Sequence, residues 1–262
     1  MSEMENLNKE NSFNKIPELT LLFWVMKICA TTLGETGGDL LSMTLNVGYS
    51  TSTLIFFGFF LLTVFGQLKA KRYIPILYWS VIVSTSTAGT TMSDFMDRTL
   101  GLGYTMGAVI LVTALILILA LWYYSEKSLS VTNIKTFKGE LFYWIAILFS
   151  NTLGTALGDF LADDSGLGFL GSNILISSAL VLVVLAYYYT RISRVVLFWI
   201  AFVLTRPFGA TFGDVLTKLP EKGGLDLGTI GASLVFVIIL AVLIIYETYY
   251  KKKPTLEKAS VT

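Results

Sequence analysis

Trp144-Ile145-Ala146-Ile147-Leu148-Phe149-Ser150-Asn151-Thr152-Leu153-Gly154-Thr155-Ala156-Leu157-Gly158-Asp159 decides the fold. An apolar run opens on a Trp, reaches a Gly ten residues on, and ends in Gly-Asp fifteen residues from the Trp. The same frame recurs as Trp24, Gly34, Gly38, Asp39; as Trp79, Gly89, Ser93, Asp94; and as Trp199, Gly209, Gly213, Asp214. The pattern W-x9-G-x3-[GS]-D is kept without a slip in four copies, too regular for coincidence. The tryptophans are spaced 55, 65 and 55 residues apart, so a longer linker separates the second copy from the third and two paired halves are the natural division.

Working outward, every copy contains two apolar segments, at about 19–45 and 49–68, 75–97 and 103–124, 141–162 and 167–190, 195–217 and 228–248. Each run far exceeds the ~10 residues of a membrane-spanning strand and matches the ~20 that a helix needs to cross hydrocarbon. Mean hydropathy is +0.70 and charged residues make up only 14%, well below the roughly 25% of a soluble domain. The reading is an all-α integral membrane protein of eight transmembrane helices in four parallel two-helix repeats. A polar tail, 1–16, precedes a single transmembrane domain, 17–248; the repeats occupy about 17–72, 73–125, 138–191 and 193–250, with a linker at 126–137 and a basic tail at 251–262. The first sixteen residues lack a basic n-region or cleavage site, so the first helix is expected to be retained.

Orientation follows from the bases. The ends of the repeats and the two tails carry fourteen Lys and Arg, the turns inside the repeats only Arg98, Lys218 and Lys222. The positive-inside rule then puts both termini in the cytoplasm. Lys251 to Lys253 read as part of that signal rather than as a specific lipid site. Tyr123, Tyr124, Tyr187 to Tyr189, Tyr249 and Tyr250 cluster at the same ends, as an aromatic belt does. The tryptophans read as interface anchors or packing groups.

The second segment of each repeat is free of charge over 50–68, 104–125, 167–190 and 227–246, whereas the first segments carry the ionisable groups. Odd helices are therefore expected inside and even helices outside. Lys27, Thr31, Glu35 and Asp39 follow one another at i, i+4, along one helix face. The other copies match with Ser86, Thr90 and Asp94, with Asn151, Thr155 and Asp159, and with Arg206, Ala210 and Asp214. One charge at a helix centre costs about 2.5–3.5 kcal/mol in a bilayer, so five acids and two bases facing lipid would cost on the order of 10–20 kcal/mol. Turned toward a shared interior, Lys27 and Arg206 leave three negative charges uncompensated, which bound protons or a cation would complete.

Each feature also has a plainer explanation. The Gly34/Gly38, Gly154/Gly158 and Gly209/Gly213 pairs permit close helix packing with no ligand at all. Fifteen helical residues span about 22 Å, so the four aspartates lie toward the far end, where hydration alone would satisfy them. Glu35, roughly 16 Å from its Trp, is harder to dismiss. Asp97, Arg98, Asp163 and Asp164 are expected to be solvated in the outer turns.

The stretches Thr31 to Asp39, Ser150 to Asp159 and Leu204 to Thr211 resemble the signatures of a family of bacterial inner-membrane proteins defined by four tandem copies of a repeat of unknown function. The resemblance covers nearly the whole chain outside its tails. It implies two transmembrane segments and a Trp per repeat, and location in a bacterial inner membrane; it implies no chemistry.

From the residues, the expected function is a transporter moving, or coupled to, protons or small cations. Glu35, Asp39, Asp94, Asp159 and Asp214 are the expected carriers. Lys27 and Arg206 are counter-ions or gates, and Thr31, Ser86, Thr90, Asn151 and Thr155 a polar lining. Carboxylates and hydroxyls favour a hard cation, since the chain has no His and one Cys, Cys29. The expected partners are membrane lipid and a proton, small cation or small-molecule substrate, with no nucleic acid and no cofactor. Two other readings stand beside it: a cation channel with an acidic ring, and an intramembrane aspartyl enzyme, which the Leu157-Gly158-Asp159 and Phe212-Gly213-Asp214 motifs faintly suggest. Four symmetric copies, and the absence of a Gly-x-Ser-x-Gly, a zinc motif or a phosphate loop, argue against catalysis.

Overall fold

The structure, a computed structural model, describes residues 15–134 and 136–249. The basic tail 251–262, with Lys251 to Lys253, lies outside them, as does Tyr250. The described residues form eight long helices: α1 Leu21–Asp39, α2 Tyr49–Lys69, α3 Pro75–Asp94, α4 Gly103–Glu126, α5 Phe137–Asp159, α6 Gly168–Tyr189, α7 Arg194–Thr217 and α8 Thr229–Tyr249. Local chemistry sets several starts. Thr20 Oγ1 accepts from Phe23 N at the head of α1, and Thr136 Oγ1 from Gly139 N at the head of α5. Pro75 occupies the first turn of α3, where its missing N–H costs nothing. After Asp39, Asp94 and Asp159 the helix widens into one π-type turn, Leu40–Thr44, Phe95–Thr99 and Phe160–Asp164. Gly48, at φ +82, then turns the first repeat back.

Six of the eight helices, α2 and α4 to α8, are long and apolar enough to cross a membrane by length and composition. The other two, α1 and α3, break up their apolar runs. Lys27, Glu35 and Asp39 lie in α1, and eight Ser and Thr lie in α3.

Both α1 and α5 pack against α3 and α7, so the odd helices form a closed ring in the order α1, α3, α5, α7. Each even helix packs chiefly on the odd helix of the following repeat: α2 on α3, α4 on α5, α6 on α7, and α8 back on α1. Odd helices are largely buried, while the even helices expose most of their Leu, Ile, Val and Phe side chains. The expected division into inner and outer helices is thus present in the packing.

The repeat glycines make the ring possible. A Cβ on Gly34 would lie 2.3 Å from Ser86 Cβ, one on Gly89 2.9 Å from the Asn151 backbone, one on Gly154 2.3 Å from Arg206 Cγ, and one on Gly209 2.4 Å from Thr31 Oγ1. Each such Gly therefore receives the residue seven after the next repeat's Trp, around the whole ring. Close packing accounts for the glycines without a ligand.

Candidate functional site

The polar stripes of the odd helices meet in three layers on the ring's interior. In the middle layer Arg206 of the fourth repeat, fully buried, reaches the other three repeats. Its Nη1 and Nη2 each lie 3.1 Å from Glu35 Oε2 of the first repeat. Its Nη2 donates to Ser86 O at 3.4 Å and to Thr90 Oγ1 in the second repeat, and to Thr155 Oγ1 at 2.7 Å in the third. Thr90 and Thr155 also donate to Glu35 Oε2, at 3.2 and 3.4 Å. Burying this ion pair is costly unless its remaining hydrogen bonds are met. The threonines supply most of them; Arg206 Nε has no partner among the described residues.

Lys27 is also wholly buried. Its Nζ lies 3.4 Å from Asn151 Oδ1 and 4.1 Å from the centre of the Phe202 ring, and it forms no ion pair among the described residues. Asn151 spends its amide on Thr85 Oγ1 at 3.0 Å and Ser86 Oγ at 3.3 Å. Thr31 donates to Thr205 O across the α1–α7 contact at 3.3 Å. All seven expected charged residues and all five expected lining residues are buried inside the ring.

The layer of four aspartates differs from expectation. Their side chains are nearly inaccessible, and two turn bases, Arg98, which was expected in solvent, and Lys218, hold them in couples. Arg98 Nε lies 3.1 Å from Asp94 Oδ1 and its Nη2 3.5 Å from Asp159 Oδ2. Lys218 Nζ lies 3.2 Å from Asp214 Oδ1 and 2.6 Å from Asp39 Oδ2. Burial alone would loosen the Lys218 proton, but Asp214 and then Asp39 outweigh it and hold that proton above its usual range. Asp97 is likewise buried, accepting from Ser93 Oγ at 3.2 Å. Asp163 and Asp164 are exposed, as expected.

These bases correct the charge count. Five carboxylates face four bases, Lys27, Arg98, Arg206 and Lys218, so the uncompensated charge among them is one rather than three. The sequence signal was there: Arg98 and Lys218 each stand four residues after a repeat Asp, the spacing that puts both on one face. Glu35, Asp39 and Asp214 each place a carboxylate oxygen within 4.8 Å of the other two. That oxygen-only set suits a hard cation, and in this arrangement the Lys218 ammonium sits among two of the three.

The opposite end of the ring is aromatic. Trp79 and Trp144 are fully buried and Trp199 nearly so, which makes them packing groups rather than surface anchors. Tyr78 and Tyr143, each directly before a Trp, bring their hydroxyls within 2.6 Å. Glu247, near the end of α8, accepts from Trp79 Nε1 at 3.0 Å and from Tyr73 OH at 2.9 Å. Burial and the Glu247 charge keep the Tyr73 hydroxyl protonated above its usual range, which fixes it as a donor. Lys15 pairs with Glu140 at 2.6 Å and donates to Leu68 O at 3.1 Å. Sequence reasoning passed over Glu247 and Glu140 because both stand at the ends of apolar runs, where a carboxylate is ordinarily solvated.

Residues 22–73, 77–128, 142–193 and 197–253 each match the Repeat of Unknown Function (DUF347), and the chain belongs to that family. No curated protein and no solved structure matches it significantly.

Proposed function

We propose that this four-repeat protein is a membrane transporter moving, or coupled to, protons or small cations through its acid-lined interior. The observation that carries the reading is the Glu35–Arg206 pair, which is buried, joins the first repeat to the fourth and bonds to the second and third. A scaffold needs no such pair. Apolar side chains of similar volume would hold four helices together at least as well, and intramembrane ionisable groups mark ion and proton paths. Glu35, Asp39, Asp94, Asp159 and Asp214 exchange protons or a hard cation. Lys27 and Arg206 set the charge they work against.

In the proposed setting all eight helices span the bilayer, including α1 and α3, whose polar faces are enclosed by the other helices. Both termini lie on the cytoplasmic side of a bacterial inner membrane, so the Trp layer faces the cytoplasm and the Asp layer the other side. Arg206 and the Tyr78–Tyr143 pair fill the interior at two levels, which favours a carrier over an open acid-ringed channel. The four repeat aspartates are held in two couples, each by a base, Arg98 or Lys218, rather than as the two carboxylates sharing a proton that an aspartyl enzyme needs.

Purified protein in liposomes, under imposed proton, alkali-cation and divalent-cation gradients, tests the reading. Wild-type protein is expected to carry one of these ions, and Glu35→Gln and Asp159→Asn to abolish the flux. Full flux in both variants removes the proposal.

A further inference from the structure

The ion pairs divide the ring along a line that the sequence does not suggest. The longer linker groups the first repeat with the second and the third with the fourth. In the Asp layer, however, Arg98 joins the second repeat to the third, and Lys218 joins the fourth to the first. The other two contacts between neighbouring odd helices, α1 with α3 and α5 with α7, have no ion pair at this level among the described residues.

Side-chain contacts follow the same division. Asn151 to Thr85 and Ser86, and Tyr78 to Tyr143, lie between α3 and α5. Thr31 to Thr205 O, and Lys27 over Phe202, lie between α1 and α7. The even helices go with the odd helix they cover. Thr63 and Ser84 hydroxyls, 2.8 Å apart, fasten α2 to α3, and Asn173 Nδ2 fastens α6 to α7 through Phe208 O at 3.3 Å. Ser233 and Thr36 hydroxyls, 2.9 Å apart, fasten α8 to α1. The result is two continuous blocks, α2 to α5, and α6 to α8 with α1.

Between these blocks, polar contacts occur in two places among the described residues. The Trp end is tied by Glu247 to Tyr73 and Trp79, by Lys15 to Glu140, and by Trp199 Nε1 to Leu129 O at 3.1 Å. The middle is tied by Lys27 to Asn151 and by Arg206 and Glu35 to Ser86, Thr90 and Thr155.

We propose that the protein moves as two bodies, α2–α5 against α6–α8 with α1, pivoting at the Trp end and parting at the Asp end. The Glu35–Arg206 cluster is the catch between them. Glu35 and Arg206 both belong to the second body, but the threonines they hold belong to the first. A proton or cation arriving at Glu35 weakens its hold on Arg206 and on both threonines, and the unbridged contacts in the Asp layer then separate. Arg98 and Lys218 travel with their own bodies and keep each aspartate couple paired throughout. The purpose of this motion rests on the transport reading, but its test does not use flux.

The test is a set of spin-label distances on purified full-length protein carrying Cys29→Ser. Labels at Leu100→Cys with Asp163→Cys report within the first body, and at Met43→Cys with Leu225→Cys within the second. Leu100→Cys with Leu225→Cys reports between them. Adding Glu35→Gln, which removes the carboxylate charge, is expected to lengthen or broaden the distance between bodies by several ångströms and to leave both internal distances unchanged. The double variant Glu35→Gln/Arg206→Gln, which leaves neither member of the pair charged, gives the same result if the single variant folds poorly. Equal changes in all three pairs, a change confined to an internal pair, or no change in any, overturns the two-body proposal. Liposome flux decides the transport reading separately.

Discussion

The two ends of the helix ring are built from the same repeat yet are held together in opposite ways. At the Trp end, Glu247, Lys15 and the aromatic rings cross between α2–α5 and the remaining helices. At the Asp end every ion pair stays on one side of that boundary. A fourfold backbone frame therefore carries a twofold arrangement of charge. The lesson is that shared residues build the ring, while unshared ones decide which of its contacts can let go.

The largest expected effect comes from the cluster that joins the two ends. Arg206→Met leaves Glu35 buried beside two threonines and should cost about 3–5 kcal/mol of stability. Glu35→Gln/Arg206→Met should recover most of that loss in thermal unfolding, because the carboxylate left without its partner is gone too. A double variant no better than Arg206→Met would mean that Arg206 works through shape rather than charge.

The tie at the Trp end comes next. Trp79→Phe keeps the ring but removes the Nε1–H that Glu247 accepts, so a loss of about 1.5–3 kcal/mol is expected. Hydrogen exchange should then rise in the last turn of α8 more than at the Asp end. Equal exchange at both ends would remove the contrast between them.

Packing in the ring is a further test. Gly34→Ala pushes a methyl into Ser86 and should cost about 1–3 kcal/mol. On the outer helix α2, a Cβ at Gly58 meets nothing within 4 Å. Gly58→Ala should be neutral or stabilise by about 0.5–1 kcal/mol, since Ala favours the helix. Among the charge variants the smallest effect is expected from the two turn bases, both partly exposed. Arg98→Gln and Lys218→Gln should each cost about 1 kcal/mol, discounted for solvent screening, and the two losses should match. Unequal losses would break the equivalence of the two bridges.

Much of this was legible in the chain. The count of Trp, Gly and Asp gave the four repeats, and the absence of charge in the even segments gave the inner and outer helices. The i, i+4 stripe from Lys27 to Asp39 gave the buried layers. The ion-pair coupling of the second repeat to the third, and of the fourth to the first, was not legible, because the linker near residues 126–137 points to a different grouping. The expectation of solvent for Arg98 rests on its place in a turn, and Lys218 enters the sequence reading only as one of the turn bases. Their i, i+4 spacing from Asp94 and Asp214 was the available signal. Glu247 reaches Trp79 across 168 residues of sequence, a contact that only the closure of α8 onto the ring creates.

The most direct measurement of the central claim compares Glu35→Gln with Gly58→Ala, one change in the ring and one on its outer surface, reconstituted side by side. Folded amounts are matched, and proton, alkali-cation and divalent-cation fluxes are recorded under imposed gradients. The account predicts wild-type flux of one of these ions through Gly58→Ala and at least a tenfold loss through Glu35→Gln, about 1.4 kcal/mol or more in the barrier. Equal flux through the two variants, or no ion flux through Gly58→Ala and the wild type under any gradient, would contradict it.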